Sequence, residues 1–268
     1  MGFAERLRAS GCWEDLPGRV GVAAWDLDER EPVLLGAERA VHPASTIKVL
    51  VLVAALRAVR DGALDLDTRV PLPERRAGGS GVLPELPSVG ELPLAELLAL
   101  MVVVSDNTAT NAVLDAVGFA AVADCAHRLG CRATRLERRL MDERAPGRVQ
   151  SCALDLARVL DALVTGAALP PELTRHALAV LSRQQVRDRL PALLPAGAGC
   201  WNKPGELLGV RHDVGLIGTA DRPRAVVAVL VDELTDERSA TTTSGGPATA
   251  AIARIGAAAH RALEPANG

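Results

Sequence analysis

The stretch His42-Pro43-Ala44-Ser45-Thr46-Ile47-Lys48, followed by the apolar residues 49–56, organises the rest of this chain. Pro43 favours a chain that turns into a helix, which would place Ser45 in the first helical turn. Since Ser45 and Lys48 are three residues apart, a helix presents both on one face. The residues after Lys48 are apolar on nearly every side, so we expect this helix to be buried in the middle of the molecule.

Ser45 and Lys48 together fit nucleophilic catalysis. A serine hydroxyl is a poor nucleophile until a base takes its proton, and a desolvated lysine with a lowered pKa can be that base. The N–H groups at a helix N-terminus suit a developing oxyanion. The motif alone is common, and most instances are a helix cap with a surface lysine. However, Lys48 and Lys203 are the only lysines in a chain that otherwise uses arginine, which indicates a need for a group that can lose its proton.

Composition bounds the class of protein. The chain has 268 residues, enough for one large domain or two subdomains. It is 49% hydrophobic and 24% charged, with a net charge of -3 and only 2% aromatic residues. The absence of a basic excess argues against a nucleic-acid partner. Tyrosine is absent, which excludes a tyrosine base.

Cysteine and histidine spacing gives no indication of a metal or another cofactor. The five cysteines are odd in number and lack C-x-x-C pairing, which favours free thiols in a reducing compartment over a disulfide framework. The N-terminus lacks an apolar signal core, and no apolar run reaches membrane-spanning length without a charge. We therefore expect a cytoplasmic protein without a membrane partner, although a secreted protein trimmed of its signal would read the same.

The order of segments predicts an α/β fold. Strand patterns occupy both ends of the chain, at 19–26, 33–36, 201–205, 213–218 and 225–231. Besides the Ser45 helix, helices are predicted at 3–12, 93–101, 109–117, 118–129, 153–163, 171–182 and 248–262. We expect a sheet subdomain from residues 1–62 and 195–268 with flanking helices, and an inserted all-α subdomain from 63–194. Residues 62–90 and 131–150 are predicted loops, and the glycines at 78–81 form either a plain connection or the rim of a cleft.

Three short motifs follow one another along the chain: Ser45-x-x-Lys48, Ser105-Asp106-Asn107 and Lys203-Pro204-Gly205. Here the chain resembles the serine β-lactamase and penicillin-binding-protein superfamily, whose signature is S-x-x-K, S-D-N and K-T-G. It is most similar to the class A group, over about residues 20–261. The resemblance implies a β-lactamase-like fold with an antiparallel sheet, and a small-molecule substrate.

The resemblance also implies a role for each motif residue. Ser45 would attack a carbonyl and form an acyl-enzyme, and Lys48 would take its proton. Ser105 would relay a proton towards the leaving nitrogen. Lys203 would lower the pKa values of Ser105 and Lys48 through its charge and attract a substrate carboxylate.

Substrate binding is implied at the edge of the same site. Asn107 would hydrogen-bond Lys48 and a substrate amide, and Gly205 would leave room for a ligand. The oxyanion hole would be the backbone N–H groups of Ser45 and Glu206.

Two departures from the family pattern matter. Pro204 replaces threonine and removes an N–H and a hydroxyl; this is tolerable on an edge strand but weakens carboxylate recognition. Arg211 either supplies a replacement charge or is a solvated arginine. Leu140 stands where the deacylating glutamate is expected, and leucine cannot activate water. The nearby acids could substitute or pair with local arginines: Glu137, Asp142 and Glu143.

Three functions remain open. The first is a β-lactamase-like serine hydrolase that acts through an acyl-enzyme on a strained or activated ester, lactone or amide. The second is a true β-lactamase, which needs a water-activating carboxylate near Ser45. The third is a non-catalytic binding protein that has kept the motifs.

Overall fold

One antiparallel sheet carries the fold, and the computed structural model describes residues 1–264. Its strands are β1 (Arg19–Asp26), β2 (Val33–Leu35), β7 (Ala198–Leu207), β8 (Val210–Thr219) and β9 (Pro223–Asp232). They lie in the order β2-β1-β9-β8-β7, so strands from both ends of the chain meet where β1 pairs with β9. The prediction of an α/β fold with a sheet built from both termini is confirmed.

Helices cover both faces of the sheet. They are α1 (Phe3–Arg8), α2 (Lys48–Arg60), α3 (Leu94–Val103), α4 (Asn107–Val117), α5 (Phe119–Arg128), α6 (Ala153–Val164), α7 (Pro171–Leu181), α8 (Glu237–Thr241) and α9 (Pro247–Ala262). Alternate residues of β9 enter different cores. Ala228 and Leu230 pack with α2 and α6, whereas Val227 and Val229 pack with α1 and α9. The sheet therefore separates two apolar layers.

Helix α2 is the buried centre of the molecule, as its apolar sequence predicts. Every residue from 48 to 56 is buried, and α2 contacts α3, α4, α5, α6 and α7. The turn before it differs from the prediction. Ala44–Ile47 is a 3-10 helix, and the α-helix begins only at Lys48. The tighter 3-10 winding is typical of a helix N-terminus.

The two predicted loops contain short strands. In the first, β3 (Arg69–Pro71) pairs with β4 (Glu91–Pro93), which directly follows the predicted loop, and a 3-10 turn spans Leu83–Glu85. Within the second, β5 (Arg135–Leu136) pairs with β6 (Val149–Gln150). Strands of two or three residues are too short to show the alternation that identifies a strand in a sequence.

Among residues 1–264 no single helix is long and apolar enough to cross a membrane. Helices α4 and α5 reach that length only together, and the chain bends by 85° between them.

Candidate active site

Two lysine amines from different parts of the chain meet at one serine hydroxyl. Lys48 Nζ, at the start of α2, donates to Ser105 Oγ at 3.0 Å and to the Ser105 carbonyl at 2.7 Å. Lys203 Nζ, on the edge strand β7, donates to the same Ser105 Oγ at 3.0 Å. The third Lys48 bond goes to Asn107 Oδ1 at 2.8 Å. The three motifs thus form one hydrogen-bonded cluster.

Asp106 fixes the turn that presents Ser105. Its Oδ1 accepts the Ala109 N–H at 2.9 Å and caps α4. Its Oδ2 accepts the N–H groups of Val82 and Leu83 at 2.7 and 2.8 Å. Gly81 has φ +126°, and a Cβ there would lie 2.3 Å from Asp106 Oδ2, so only glycine fits this approach.

Ser45 lines a pocket of about 440 Å³ beside this cluster. Gly79 and Ser80 line the same pocket. The glycine-rich segment is therefore the rim of a cleft rather than a plain connection. Among residues 1–264 the Ser45 N–H has no hydrogen-bond acceptor, while the next N–H, of Thr46, donates to the Pro43 carbonyl. The Ser45 N–H is therefore free for a substrate oxygen.

The edge strand β7 approaches Ser45 closely at Gly205. A Cβ on Gly205 would lie 2.9 Å from the backbone nitrogens of both Ser45 and Thr46. A contact this short with backbone leaves room only for glycine.

The register of the β7–β8 hairpin orients the next peptide. Gly205 pairs with His212, and Arg189 Nη1 reaches the carbonyls of both at 3.4 and 3.0 Å. One nitrogen can reach both carbonyls only if they lie between the strands, so Gly205 and His212 form a hydrogen-bonded pair. In an antiparallel ladder the next residue along β7 points its N–H and carbonyl away from β8. The Glu206 N–H therefore points off the sheet edge, on the side where the Ala44–Ile47 turn packs. Pro204 also takes an outward position, so its missing N–H costs no ladder bond.

Burial sets the protonation of the two lysines. Both are 0% exposed. Burial, and secondly the charge of Lys203, holds the pKa of Lys48 well below its usual value. Burial also lowers the pKa of Lys203 to about 7, although Glu206 and Asp213 act in the opposite direction. Both shifts favour the neutral amine, the form that can accept a proton.

Comparison with known proteins agrees with this geometry. A model of the "Beta-lactamase enzyme family" matches residues 3–263. The chain belongs to the β-lactamase family. The three motifs therefore identified the superfamily correctly, and the family and fold are those of a hydrolase.

Individual relatives cover most of the chain. A β-lactamase of Streptomyces albus G is 30% identical over 240 residues, which are 85% of this chain and 76% of that protein. The crystal structure of a β-lactamase from Sphaerobacter thermophilus DSM 20745 is 33% identical with a TM-score of 0.81, covering 98% of this chain and 97% of that one. The structure of PBP-A is 25% identical with a TM-score of 0.81, covering 97% and 95%.

In this β-lactamase family member, Leu140 faces the pocket that Ser45 lines. Asn111 holds it by both backbone groups: Oδ1 accepts the Leu140 N–H at 2.9 Å, and Nδ2 donates to its carbonyl at 3.1 Å. The side chain at this position therefore has a fixed origin at the pocket wall, but leucine offers no base.

The three neighbouring acids lie in different places. Glu137 Oε2 accepts the Arg148 N–H at 2.8 Å and does not line the Ser45 pocket. Asp142 lines an adjacent pocket instead. Glu143 lines the Ser45 pocket itself, so it is the one of the three whose side chain shares a cavity with the nucleophile.

Asn107 makes the predicted contact with Lys48, and its contact with a substrate amide stays a prediction. Its Oδ1 binds Lys48, but its Nδ2 donates to the Gly78 carbonyl at 2.9 Å. This bond to the cleft rim uses one of the two N–H donors of the amide.

Arg211 does not reach the pocket. It is 0% exposed, and Nη1 donates to the carbonyls of Leu207 and Val210 at 2.9 and 2.8 Å. Its other nitrogens donate to the carbonyls of Thr242 and Gly245. Neither predicted role, a charge for the substrate or a solvated arginine, fits this position: the guanidinium ties the β7–β8 turn to the segment before α9.

Sequence reasoning missed Arg189. It is 1% exposed, and its Nη1 lies 2.7 Å from Glu206 Oε2. It comes from an irregular segment before β7 and belongs to no motif, so nothing distinguishes it in the sequence from the many other arginines. Glu206 was predicted for its backbone N–H, but its side chain also lines the pocket.

Proposed function

We propose that the protein is a serine hydrolase that forms an acyl-enzyme at Ser45 with a strained or activated ester, lactone or amide. The observation that carries the proposal is the convergence of Lys48 and Lys203 on Ser105 Oγ at 3.0 Å each. Both amines are buried beside the pocket that Ser45 lines. An amine kept neutral by desolvation is the base that a serine nucleophile needs.

In the proposed acylation, Ser45 Oγ attacks the carbonyl carbon and its proton passes to the neutral Lys48 amine. The carbonyl oxygen becomes an oxyanion held by the N–H groups of Ser45 and Glu206. Collapse of the tetrahedral intermediate breaks the bond to the leaving group. Ser105 Oγ passes its proton to the leaving atom and takes from Lys48, 3.0 Å away, the proton that Lys48 received from Ser45, so the amine is neutral again.

The acyl-enzyme is expected to be long-lived. Hydrolysis needs a base that activates water, and a positioned base contributes about 10²–10⁴-fold. Leu140, which stands at the pocket wall on its Asn111 support, supplies none. Slow hydrolysis, or transfer of the acyl group to another acceptor, is the consequence.

A second candidate is hydrolysis of β-lactams. It is supported by family membership and by the similarity to the β-lactamases of Streptomyces albus G and Sphaerobacter thermophilus. One carboxylate favours it, because Glu143 lines the Ser45 pocket and could activate water there. A binding protein without catalysis is disfavoured, because burying two lysines without a chemical use costs stability.

The test uses a fluorophosphonate probe, p-nitrophenyl esters and nitrocefin, followed by intact-mass measurement of the protein. We expect one adduct per chain at Ser45, lost in Ser45→Ala and retained in Ser182→Ala, which changes an exposed serine outside the pocket. A stable penicilloyl adduct without turnover supports slow deacylation, whereas rapid turnover of penicillins supports the β-lactamase. No label from any reagent would end the proposal.

A further inference from the structure

The side chain of Glu206 places a carboxylate inside the active-site pocket, next to the proposed oxyanion hole. Its Oε2 lies 2.7 Å from Arg189 Nη1, and about a quarter of its side chain is exposed. Arg189 is buried behind the edge strand. The Glu206 carboxylate therefore lies between the Arg189 guanidinium and the pocket.

Arg189 keeps unused bonding capacity. Its Nε is buried without a hydrogen-bond partner among residues 1–264, although Asp188 Oδ1 lies 3.5 Å away. Its Nη1 donates to the His212 carbonyl at 3.0 Å. A planar guanidinium with free N–H groups is the preferred partner of a carboxylate, and here the protein supplies that carboxylate itself.

The other groups along this side of the pocket do not favour an anion. Pro204 has neither an N–H nor a hydroxyl, and the Arg211 guanidinium donates to backbone carbonyls. Lys203 is engaged with Ser105 and with the Pro204 carbonyl at 2.9 Å. The remaining pocket cation, Arg138, lies in the segment opposite β7 and donates to the Asp142 carbonyl.

We propose that Glu206 is a specificity-determining residue: it occupies the place of a substrate carboxylate beside Arg189. The site thereby selects neutral acyl compounds and rejects those with a carboxylate next to the scissile bond. A second carboxylate near Glu206 would meet like charge at close range in a poorly solvated site, where such repulsion is strong. The inference rests on the proposed function, since it names the substrate class of the same pocket.

The test replaces the charge of Glu206 and keeps its shape. We compare Glu206→Gln with Glu143→Gln, which removes another carboxylate from the same pocket. Acylation rate constants are measured with p-nitrophenyl butyrate and with p-nitrophenyl succinate, which carries a free carboxylate. We expect the unmodified protein to favour the butyrate at least about 10-fold, and Glu206→Gln to shift the ratio about 10–100-fold towards the succinate. Glu143→Gln should shift it by much less.

A binding measurement separates this inference from the proposed function. In a Ser45→Ala background, which cannot be acylated, calorimetry compares benzylpenicillin with its methyl ester. Adding Glu206→Gln should tighten binding of the free acid about 10-fold or more and leave the ester unchanged. Equal effects on acid and ester would overturn the inference even if Ser45 is acylated. A selective gain for the acid would support it even if no reagent labels Ser45.

Discussion

Lys48 and Lys203 share one acceptor, since each donates from Nζ to Ser105 Oγ at 3.0 Å. Two ammonium groups on one oxygen repel each other, and burial removes the water that would screen them. The first proton of the pair is therefore lost far more easily than from a lysine in water. This repulsion favours one neutral amine, the form that can accept the Ser45 proton. It also makes the fully protonated pair costly in free energy.

The pH dependence of acylation follows from this pair. As the pH falls, Lys203 takes up a proton near its pKa of about 7, and protonation of Lys48, whose pKa is lowered by burial and by the Lys203 charge, removes the neutral base. We expect the acylation rate constant of the unmodified protein to fall on the acid side of neutrality. In Lys203→Met the repulsion is gone, so the pKa of Lys48 rises and the acid limb moves to higher pH. Stopped-flow acylation across pH measures both; an unmoved limb would contradict the coupling.

Stability should change with the same substitution. The pKa of Lys203 is about 7 in the folded protein against an ordinary 10.5, so between these values the unfolded chain binds more protons and stability rises with pH. The cost of burying this lysine is full below pH 7 and vanishes near 10.5. Lys203→Met should therefore raise the free energy of unfolding by about 1–4 kcal/mol at pH 7, with a smaller gain at alkaline pH.

Arg211→Met is the matched control for that measurement. It also removes a buried cation, but it leaves carbonyls of the turn without donors, which costs about 1–3 kcal/mol. Denaturant unfolding at two pH values compares the variants. A stability gain from Lys203→Met that grows with pH would contradict a pKa of Lys203 that folding lowers.

Much of the fold followed from apolar periodicity and turn residues. The run after Lys48 predicted a buried helix because no face of it is polar, and the β-branched runs predicted β8 and β9. The meeting of Lys48, Ser105 and Lys203 was predicted from motif order together with the resemblance. Arg211 could not be placed, because its partners are backbone carbonyls that only the hairpin turn brings together. Arg189 gave no signal because its partner Glu206 lies on another segment, and single charges carry no periodicity.

Gly205 provides a test of the close approach between β7 and the nucleophile. In Gly205→Ala the new Cβ would lie 2.9 Å from the Ser45 nitrogen, so the strand must move away and the proposed oxyanion hole widens. Loss of one oxyanion donor costs about 10²–10³-fold, and we expect acylation to fall by that order while the fold is kept. Gly90→Ala, where a Cβ meets nothing within 4 Å, is the control. Unchanged acylation in folded Gly205→Ala would remove this strand from the oxyanion site.

Leu140 offers the opposite kind of test, a gain of function. Asn111 holds its backbone N–H and carbonyl, so a glutamate at this position would start from the same fixed point on the pocket wall. We expect Leu140→Glu to speed hydrolysis of the Ser45 acyl-enzyme about 10²–10⁴-fold, the contribution of a positioned general base. Acylation itself should change little, because the base for that step is elsewhere.

Leu140→Gln is the control for the Leu140→Glu gain, since it has nearly the same shape and no base. Both variants give up apolar packing, because Leu140 is partly buried against the main core, so thermal unfolding must show that they fold. The lifetime of the acyl adduct is followed by intact mass in all three proteins. Adding Asn111→Ala to Leu140→Glu should reverse most of the gain, because the glutamate then loses its anchored backbone. Equal lifetimes in the Glu and Gln variants would mean that water does not approach the acyl-enzyme from this wall, and Glu143 would then be the group to remove.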